Sequence, residues 1–342
     1  MDYIIKQIPE DFVVEEIPKL ELVDDGRFLI FRLKKKDRGS EDVAGDICRL
    51  FNMKRKFIGY AGNKDKKAVT TQYLSIRITG NPAKITEKLS AIRNCKFEYV
   101  GQSINPISIG DLESNRFGIT VRGLDKAPDA SKSPIPNYFD EQRFSKVNVE
   151  VGRSIIKRDF KKAAKLVLDA ADSSSTSDML AKIEANDHIG ALRCVPKKTL
   201  TLFIHAYQSF LFNELVSVYL NWFKCVTVKY SQGIFRFPRQ EVANIEVPII
   251  GFGMDEVKEE KLKPIIDKIL KQENLTPRDF IIPQIPELSF EGRMRDLLMN
   301  ISEMKQSSLE ADDLNVGKHK IKVSFVLGPG SYATIVVKSL FS

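Results

Sequence analysis

The sequence predicts an α+β fold, with strand-rich segments at both ends and a more helical stretch between them. Three observations predict it. Strand and helix patterns alternate irregularly over the first third of the chain, unlike regular βαβ winding. From about 154 to 224 apolar residues recur at helical spacing. Near the C-terminus Ile321, Val323 and Phe325 alternate with polar residues, the period of a half-buried strand.

Taken in order, Phe12–Glu15 and Phe28–Leu33 are rich in β-formers and are separated by the turn signal Asp24-Asp25-Gly26. Ser40, followed by Glu41 and Asp42, opens a helix, because a hydroxyl cap and early acids suit a helix N-terminus. Its apolar face is Val43, Ile47, Leu50 and Phe51. A short strand at Phe57–Tyr60 leads into the polar stretch Gly62–Lys67, and the next strand covers about Gln72–Thr79. Asn81-Pro82 starts a second helix with Ile85, Leu89 and Ile92 inward. Strands follow near Phe97–Val100 and Arg116–Val121. Residues 125–136 carry three prolines and read as a loop. The helical stretch is interrupted by Ser173–Ser177 and includes a long helix near Leu200–Phe223. Strands return near 226–237 and 247–252, and a charged helix spans roughly 256–272. The turn Gly328-Pro329-Gly330 leads to a last strand at Tyr332–Leu340. This pattern predicts one domain built from residues 1–150 and 290–342, interrupted by an insert at 151–289.

With 342 residues, 43% of them hydrophobic, the chain can bury a sizeable core, and its length suits about two domains. No run approaches the ~18 consecutive apolar residues of a membrane span. No secretory signal precedes the first strand, so the cytoplasm is expected, or the nucleus in a eukaryote. The four cysteines are scattered without a C-x-x-C, and the three histidines are dispersed, which argues against a zinc site or a disulfide framework. The net charge of +8 fits a polyanionic partner, although an ordinary basic protein has the same balance.

The informative segment is GNKDKKAVTTQ, residues 62–72. Between Lys54 and Lys67 lie six basic residues, Lys54, Arg55, Lys56, Lys64, Lys66 and Lys67, and one acid, Asp65. Cations around a carboxylate favour its ionised form, and an ionised carboxylate can act as a covalent nucleophile. Taken alone, the run reads first as a solvated basic turn with Asp65 paired to a lysine. A GTPase base-recognition motif would need an acid at Lys66, and no phosphate-loop motif occurs.

The segment resembles the signature of the TruD pseudouridine synthases, and further matches follow in that family's order. They are PEDFVVEE (9–16), SNRFGITVRG (114–123), PNYFDEQRF (136–144), AYQSFLFN (206–213) and LGPGSYAT (327–334). The resemblance covers most of the chain. It implies a pseudouridine synthase core with a mixed, largely antiparallel sheet, plus an inserted TruD-specific α+β domain. It implies isomerisation of a tRNA uridine in the D-arm, uridine-13 in the family's usual substrate. Asp65 is then the nucleophile, Phe139 the ring that stacks on the detached uracil, and Asn137 an organiser of the active site. Lys64 and Arg143 are candidates to pair with Asp65 or to contact a phosphate. Lys66, Lys67, Arg116 and Gln72 are further RNA-binding candidates. Arg293 and Arg295 read equally as RNA contacts and as solvated arginines, and the helix around Ala206–Asn213 reads as core. No metal and no organic cofactor is implied, and a monomer acting on tRNA away from membranes is expected. The alternative is an RNA-binding or RNA-folding protein of the same fold with a non-catalytic role. Where the family favours glycine, this chain has Asp140 and Ser145, which bears on loop geometry and on the charge offered to phosphate.

Overall fold

The structure, a computed structural model, describes residues 3–128, 134–144, 147–171, 177–254 and 257–342. The chain divides into two units, one of Met1–Asp129, Asn300–Ala333 and Phe341, the other of Ala130–Met299, Thr334–Leu340 and Ser342. In chain order the first unit holds β1 (Phe12–Pro18), β2 (Phe28–Lys36), α1 (Ser40–Phe51), β3 (Ile58–Tyr60), β4 (Val69–Ile76), α2 (Pro82–Leu89), β5 (Cys95–Ser103) and β6 (Leu112–Leu124). The second continues with α3 (Asn148–Ile156), α4 (Phe160–Ala170), α5 (Ser177–Glu184), α6 (His188–Arg193) and α7 (Lys197–Leu220). It adds β7 (Cys225–Tyr230), β8 (Gly233–Pro238), β9 (Glu246–Ile249), α8 (Lys263–Glu273) and β10 (Arg293–Asp296). The chain then returns to the first unit for β11 (Ile301–Gln306), β12 (Glu310–Ala311) and β13 (His319–Leu327), and ends in α9 (Ala333–Leu340).

The first unit is built on a nine-stranded sheet in the order β11-β13-β6-β1-β4-β2-β5, with β12 beside β13 and β3 beside β4. Among the described residues β1 and β4 pair in parallel and the other neighbours are antiparallel, so the expected mixed, largely antiparallel sheet is what forms. Alternate residues of the strands share a face. Phe31, Leu33, Leu74 and Ile76 thus pack against Val43, Ala44 and Ile47 of α1 and Ile85 and Leu89 of α2. Each such side chain stabilises the fold by roughly 1.5–3 kcal/mol relative to exposure. In the second unit α7 is buried around most of its circumference and lies against α3. The approach is close because α3 offers Gly152, where a Cβ would sit 2.1 Å from the Phe203 carbonyl oxygen.

Several elements differ from the sequence reading. Ser40 does not cap α1. Gly39 is the N-cap, its N–H donates to Asp42 Oδ2 (3.3 Å), and Ser40 is left free for the loop described below. Leu50 lies on the rim of the buried arc and is exposed, because that arc centres on Ile47 and Phe51. The strand β4 starts at Val69 and α8 only at Lys263. The largest difference is at the end: residues expected as a strand form the helix α9. Thr334, Ile335, Val336 and Val337 favour strands locally, but β propensity mostly measures fit to a half-buried pleated surface. Here all four are buried, so nothing selects the alternation of a strand, and a helix satisfies its own backbone. Residues 173–176 of the serine-rich interruption, and 129–133 of the proline loop, lie outside the described residues.

A buried ion cluster ties the first unit's chain ends together. Arg122 on β6 donates to Asp11 (2.8 Å), Asp312 (2.7 Å) and Asp313 (2.8 Å). The carboxylate of Asp312 also accepts from the N–H groups of Gly123 and Leu314 and from the Asn315 amide. Burial opposes the ionisation of Asp312, but the Leu314 N–H, Asn315, Gly123 and Arg122 together outweigh it and hold the carboxyl well below its usual range. A depressed carboxyl contributes stability that is fully present above the unfolded-state pKa of ~3.9 and is lost as pH falls from there through the folded-state pKa. Arg122→Met strands two buried carboxylates and is expected to cost about 3–5 kcal/mol in urea unfolding at pH 7. The loss should shrink toward pH 3, where the carboxyls of the variant take up protons. A loss under about 1 kcal/mol at pH 7, the scale of an ordinary substitution, rules the cluster out as a main support.

Candidate active site

Asp65 lies in the loop of residues 61–68 between β3 and β4, and the way these strands pair explains why the loop is held where it is. Along one edge of β4, β1 pairs only with residues 69–71 and β3 only with 74–76. Between them the N–H of Tyr73 has no strand partner, and Glu16 Oε1 accepts it at 3.1 Å. Glu16 is 2% exposed, and its other oxygen forms an ion pair with the Lys64 ammonium at 2.7 Å. Lys64 also donates to Asn115 Oδ1 (2.8 Å), so its side chain points inward and is 8% exposed.

The loop backbone is pinned from the same side. The Lys64 N–H donates to Ser40 Oγ (3.1 Å), and that hydroxyl donates to Gln72 Oε1 (2.6 Å). The ammonium of Lys35 donates to the carbonyls of Arg38 (2.6 Å), Asp65 (3.1 Å) and Lys64 (3.4 Å). The Asp37 N–H donates to the Ala68 carbonyl at 3.1 Å. With the backbone fixed, the Asp65 carboxylate extends to Lys6, whose Nζ is 2.9 Å away. The Lys6 ammonium also lies 4.0 Å from the centre of the Phe12 ring, a cation–π contact that limits its freedom. Asp65 keeps one third of its side chain exposed, so it remains reachable. Lys66 and Lys67 are exposed, Gln72 is wholly buried, and Arg116 is half exposed between Glu15 (3.8 Å) and Glu303 (3.1 Å).

In the second unit Asn137, Phe139 and Arg143 lie close in sequence and share supports. The Asn137 N–H donates to the Leu297 carbonyl (2.7 Å). Arg295 on β10 donates to both the backbone oxygen (2.9 Å) and Oδ1 (2.6 Å) of Asn137. The same guanidinium lies 4.4 Å from the centre of the Phe139 ring. The Asn213 amide clamps the Phe139 backbone, accepting from its N–H (3.0 Å) and donating to its carbonyl (2.8 Å). Phe139 is 9% exposed and meets Phe212 edge-on at 5.3 Å. Arg143 sits in the short 3-10 turn Glu141–Phe144, and its buried Nε has no hydrogen-bond partner among the described residues. His205 on α7 lies against Phe290, and burial first, then Arg143 and Arg293, push its imidazole down to about 4. Asp140, where the resemblance implies a glycine, keeps a negative φ and is paired with Lys338. Ser145 lies outside the described residues.

The sequence-derived candidates therefore fall into two groups. Asp65, Lys64, Lys66, Lys67, Gln72 and Arg116 belong to the first unit, and Asn137, Phe139 and Arg143 to the second. Sequence reasoning missed Lys6, Glu16, Lys35, Asn115, Asn213 and Lys338, and it read Arg295 as an RNA contact or a solvated arginine and not as the support of Asn137. Glu16, Asn115 and Asn213 stood inside motifs already singled out, so their motif positions were a usable signal. Lys35 had only strand alternation to give it away, since it shares parity with Phe31 and Leu33.

Comparison with known proteins agrees along the whole chain. The family model of tRNA pseudouridine synthase D (TruD) matches residues 1–185, 175–223 and 219–340. A protein of Methanocaldococcus jannaschii named probable tRNA pseudouridine synthase D 2 is 32% identical, over 98% of this chain and 91% of the relative. The tRNA pseudouridine synthase D of Aquifex aeolicus is 29% identical, over 100% of this chain and 98% of its own. A crystal structure from Methanosarcina mazei, assigned to the same enzyme, superposes with a TM-score of 0.71 at 25% identity, covering 98% of this chain and 93% of the other. The chain belongs to the tRNA pseudouridine synthase D (TruD) family, and its activity is that of an isomerase.

Proposed function

We propose that this enzyme converts a D-arm uridine of tRNA, of the uridine-13 type, to pseudouridine with Asp65 as the nucleophile. The observation that carries the reading is the Asp65 carboxylate itself: partly exposed, 2.9 Å from an ammonium, and mounted on a loop whose backbone is fixed at several points. A fixed, accessible carboxylate suits covalent catalysis, because orientation is supplied before the substrate arrives.

In the reaction the bond between C1′ and N1 of the uridine breaks while the substrate is covalently held by Asp65. The detached base turns, C1′ bonds to C5, the proton on C5 is lost and N1 gains one, so the product is an isomer. The target base has to leave its stack, which costs a few kcal/mol and calls for a receiving surface. In this reading Phe139 supplies that surface, its plane set by Phe212, Arg295 and the Asn213 clamp. Asn137, held at two points by Arg295, organises the polar side of the pocket. Lys66, Lys67, Arg116 and Arg143 meet phosphates, and Lys64 and Gln72 serve RNA binding from beneath by shaping the loop. The net charge of +8 favours approach to tRNA at long range.

Pseudouridine mapping in an unmodified tRNA transcript, by carbodiimide-blocked primer extension, tests the reading directly. Wild type should give one stop at the D-arm uridine, and Asp65→Asn should lower the single-turnover rate by about 10⁴-fold or more. An active Asp65→Asn enzyme, or a stop elsewhere, overturns the assignment. Phe139→Leu should slow the single-turnover rate about 10- to 100-fold, as the loss of ~1–3 kcal/mol of base stacking implies. A Phe139→Leu enzyme with the wild-type rate removes this ring from the reaction. Lys66→Ala and Lys67→Ala should each weaken tRNA binding and reduce the salt slope of log K by about 1. An unchanged slope in filter binding places the phosphates elsewhere.

A further inference from the structure

Lys35 is one of the largest fully buried side chains of the protein, at 1% exposure, and its ammonium forms no ion pair among the described residues. A buried charge without a counter-ion is costly, and the usual remedy is a carboxylate. Here the ammonium's three N–H groups instead face three carbonyl oxygens, those of Arg38, Lys64 and Asp65. Two of the three belong to the reacting loop, and one belongs to the nucleophile itself. Lys35 is rigidly placed, because it sits within β2, paired with Thr70 of β4 and Cys95 of β5. The cation is thus carried by the sheet and bonded to the loop.

We propose that Lys35 is a positioning residue for the reaction: its buried ammonium fixes the carbonyls of Lys64 and Asp65 and so sets the direction in which the Asp65 carboxylate is presented. The inference rests on the reading of Asp65 as the nucleophile. It goes beyond that reading by assigning the loop's geometry to a charge state that can be lost. Burial pushes the ammonium down to about 8 from the ordinary 10.5, against the attraction of Asp65. The other charged groups facing it are Lys64 in the loop, Asp42 on α1 and the Cys95 thiol on β5. Burial pushes that thiol up from its ordinary 9.0. Once neutral, the amine has two N–H groups for three carbonyls. One loop carbonyl then loses its donor, and Asp65 loses the attraction of the charge.

This has a signature that a merely structural lysine would not give. Between about pH 8 and 10.5 the unfolded chain binds more protons at this position than the folded one, so this group makes the fold more stable as pH rises. The rate should fall in the same window. Single-turnover pseudouridine formation in a tRNA transcript, measured from pH 6 to 10 beside thermal unfolding, reads both quantities. Wild type should show an alkaline limb near pH 8 without a matching loss of stability. Lys35→Met should bind tRNA as wild type does, react on the order of 10- to 100-fold more slowly at pH 7, and lack that limb. A folded Lys35→Met enzyme with the wild-type rate, or with the wild-type limb, overturns the inference. If the variant does not fold, the wild-type profile decides: a limb near pH 8 with stability maintained supports it, and a flat profile sinks it. Asp65→Asn run in parallel separates the two claims. Activity retained there overturns the nucleophile, whereas activity lost there and kept in Lys35→Met overturns only the role of Lys35.

Discussion

Two parallel strands, β1 and β4, share only three residue pairs, Val13–Glu15 against Val69–Thr71, before β3 takes over the same edge of β4. The interval at Gln72 and Tyr73 is where a sheet would normally show a missing ladder bond, and an unpaired buried backbone group is expensive. Glu16 fills it with a side-chain oxygen. That choice forces the rest. A carboxylate at 2% exposure needs a cation, which brings Lys64 inward, and Lys64 in turn takes Asn115 from β6. The residue next to Lys64 is Asp65, so the proposed nucleophile is presented by a loop whose neighbour is already committed to the core.

The charges around this loop divide by burial. Lys64 and Lys35 are spent on Glu16 and on carbonyls, where water is excluded and each contact is worth much, and Lys6 is spent on the partly exposed Asp65. Lys66 and Lys67, one turn of chain away, are exposed. An exposed ammonium stabilises a fold little but is free to displace counter-ions from phosphate. One short basic run thus holds two populations of lysine, and its sequence does not say which lysine belongs to which.

That is also the measure of what could be read in advance. The α+β class, the first two helices and most strands of the sheet follow from local patterns, because their burial is periodic. The Asp65 segment was legible because six ordered motifs point to one family. What escaped was set by distant partners. Lys6 is 59 residues from Asp65, and Arg295 is 158 residues from Asn137. Ser40 looked like a helix cap because its hydroxyl suits that place, yet Asp42 serves the helix start and the hydroxyl serves the loop. No local rule distinguishes these uses.

The C-terminal helix and the departure at Asp140 explain each other. With Phe139 in its proposed role of receiving a base, an acid next to it would repel the incoming phosphate chain if it stood alone. Lys338, on the helix misread as a strand, pairs with both Asp140 and Glu141, and its ammonium lies 5.3 Å from the centre of the Phe235 ring. In a strand Lys338 would share a face with Thr334 and Val336. In the helix Thr334 and Ile335 stay on its side, but the 100° step turns Lys338 away from the fully buried Val336 and Val337. The helix thus lets one lysine leave an otherwise buried segment and pair with both acids, which leaves one negative charge over. Asp140 also keeps a negative φ, so the turn it opens makes no use of a glycine's freedom. Asp140 therefore asks for no glycine backbone and adds one negative charge near Phe139, which Lys338 offsets in part as long as α9 holds it in place.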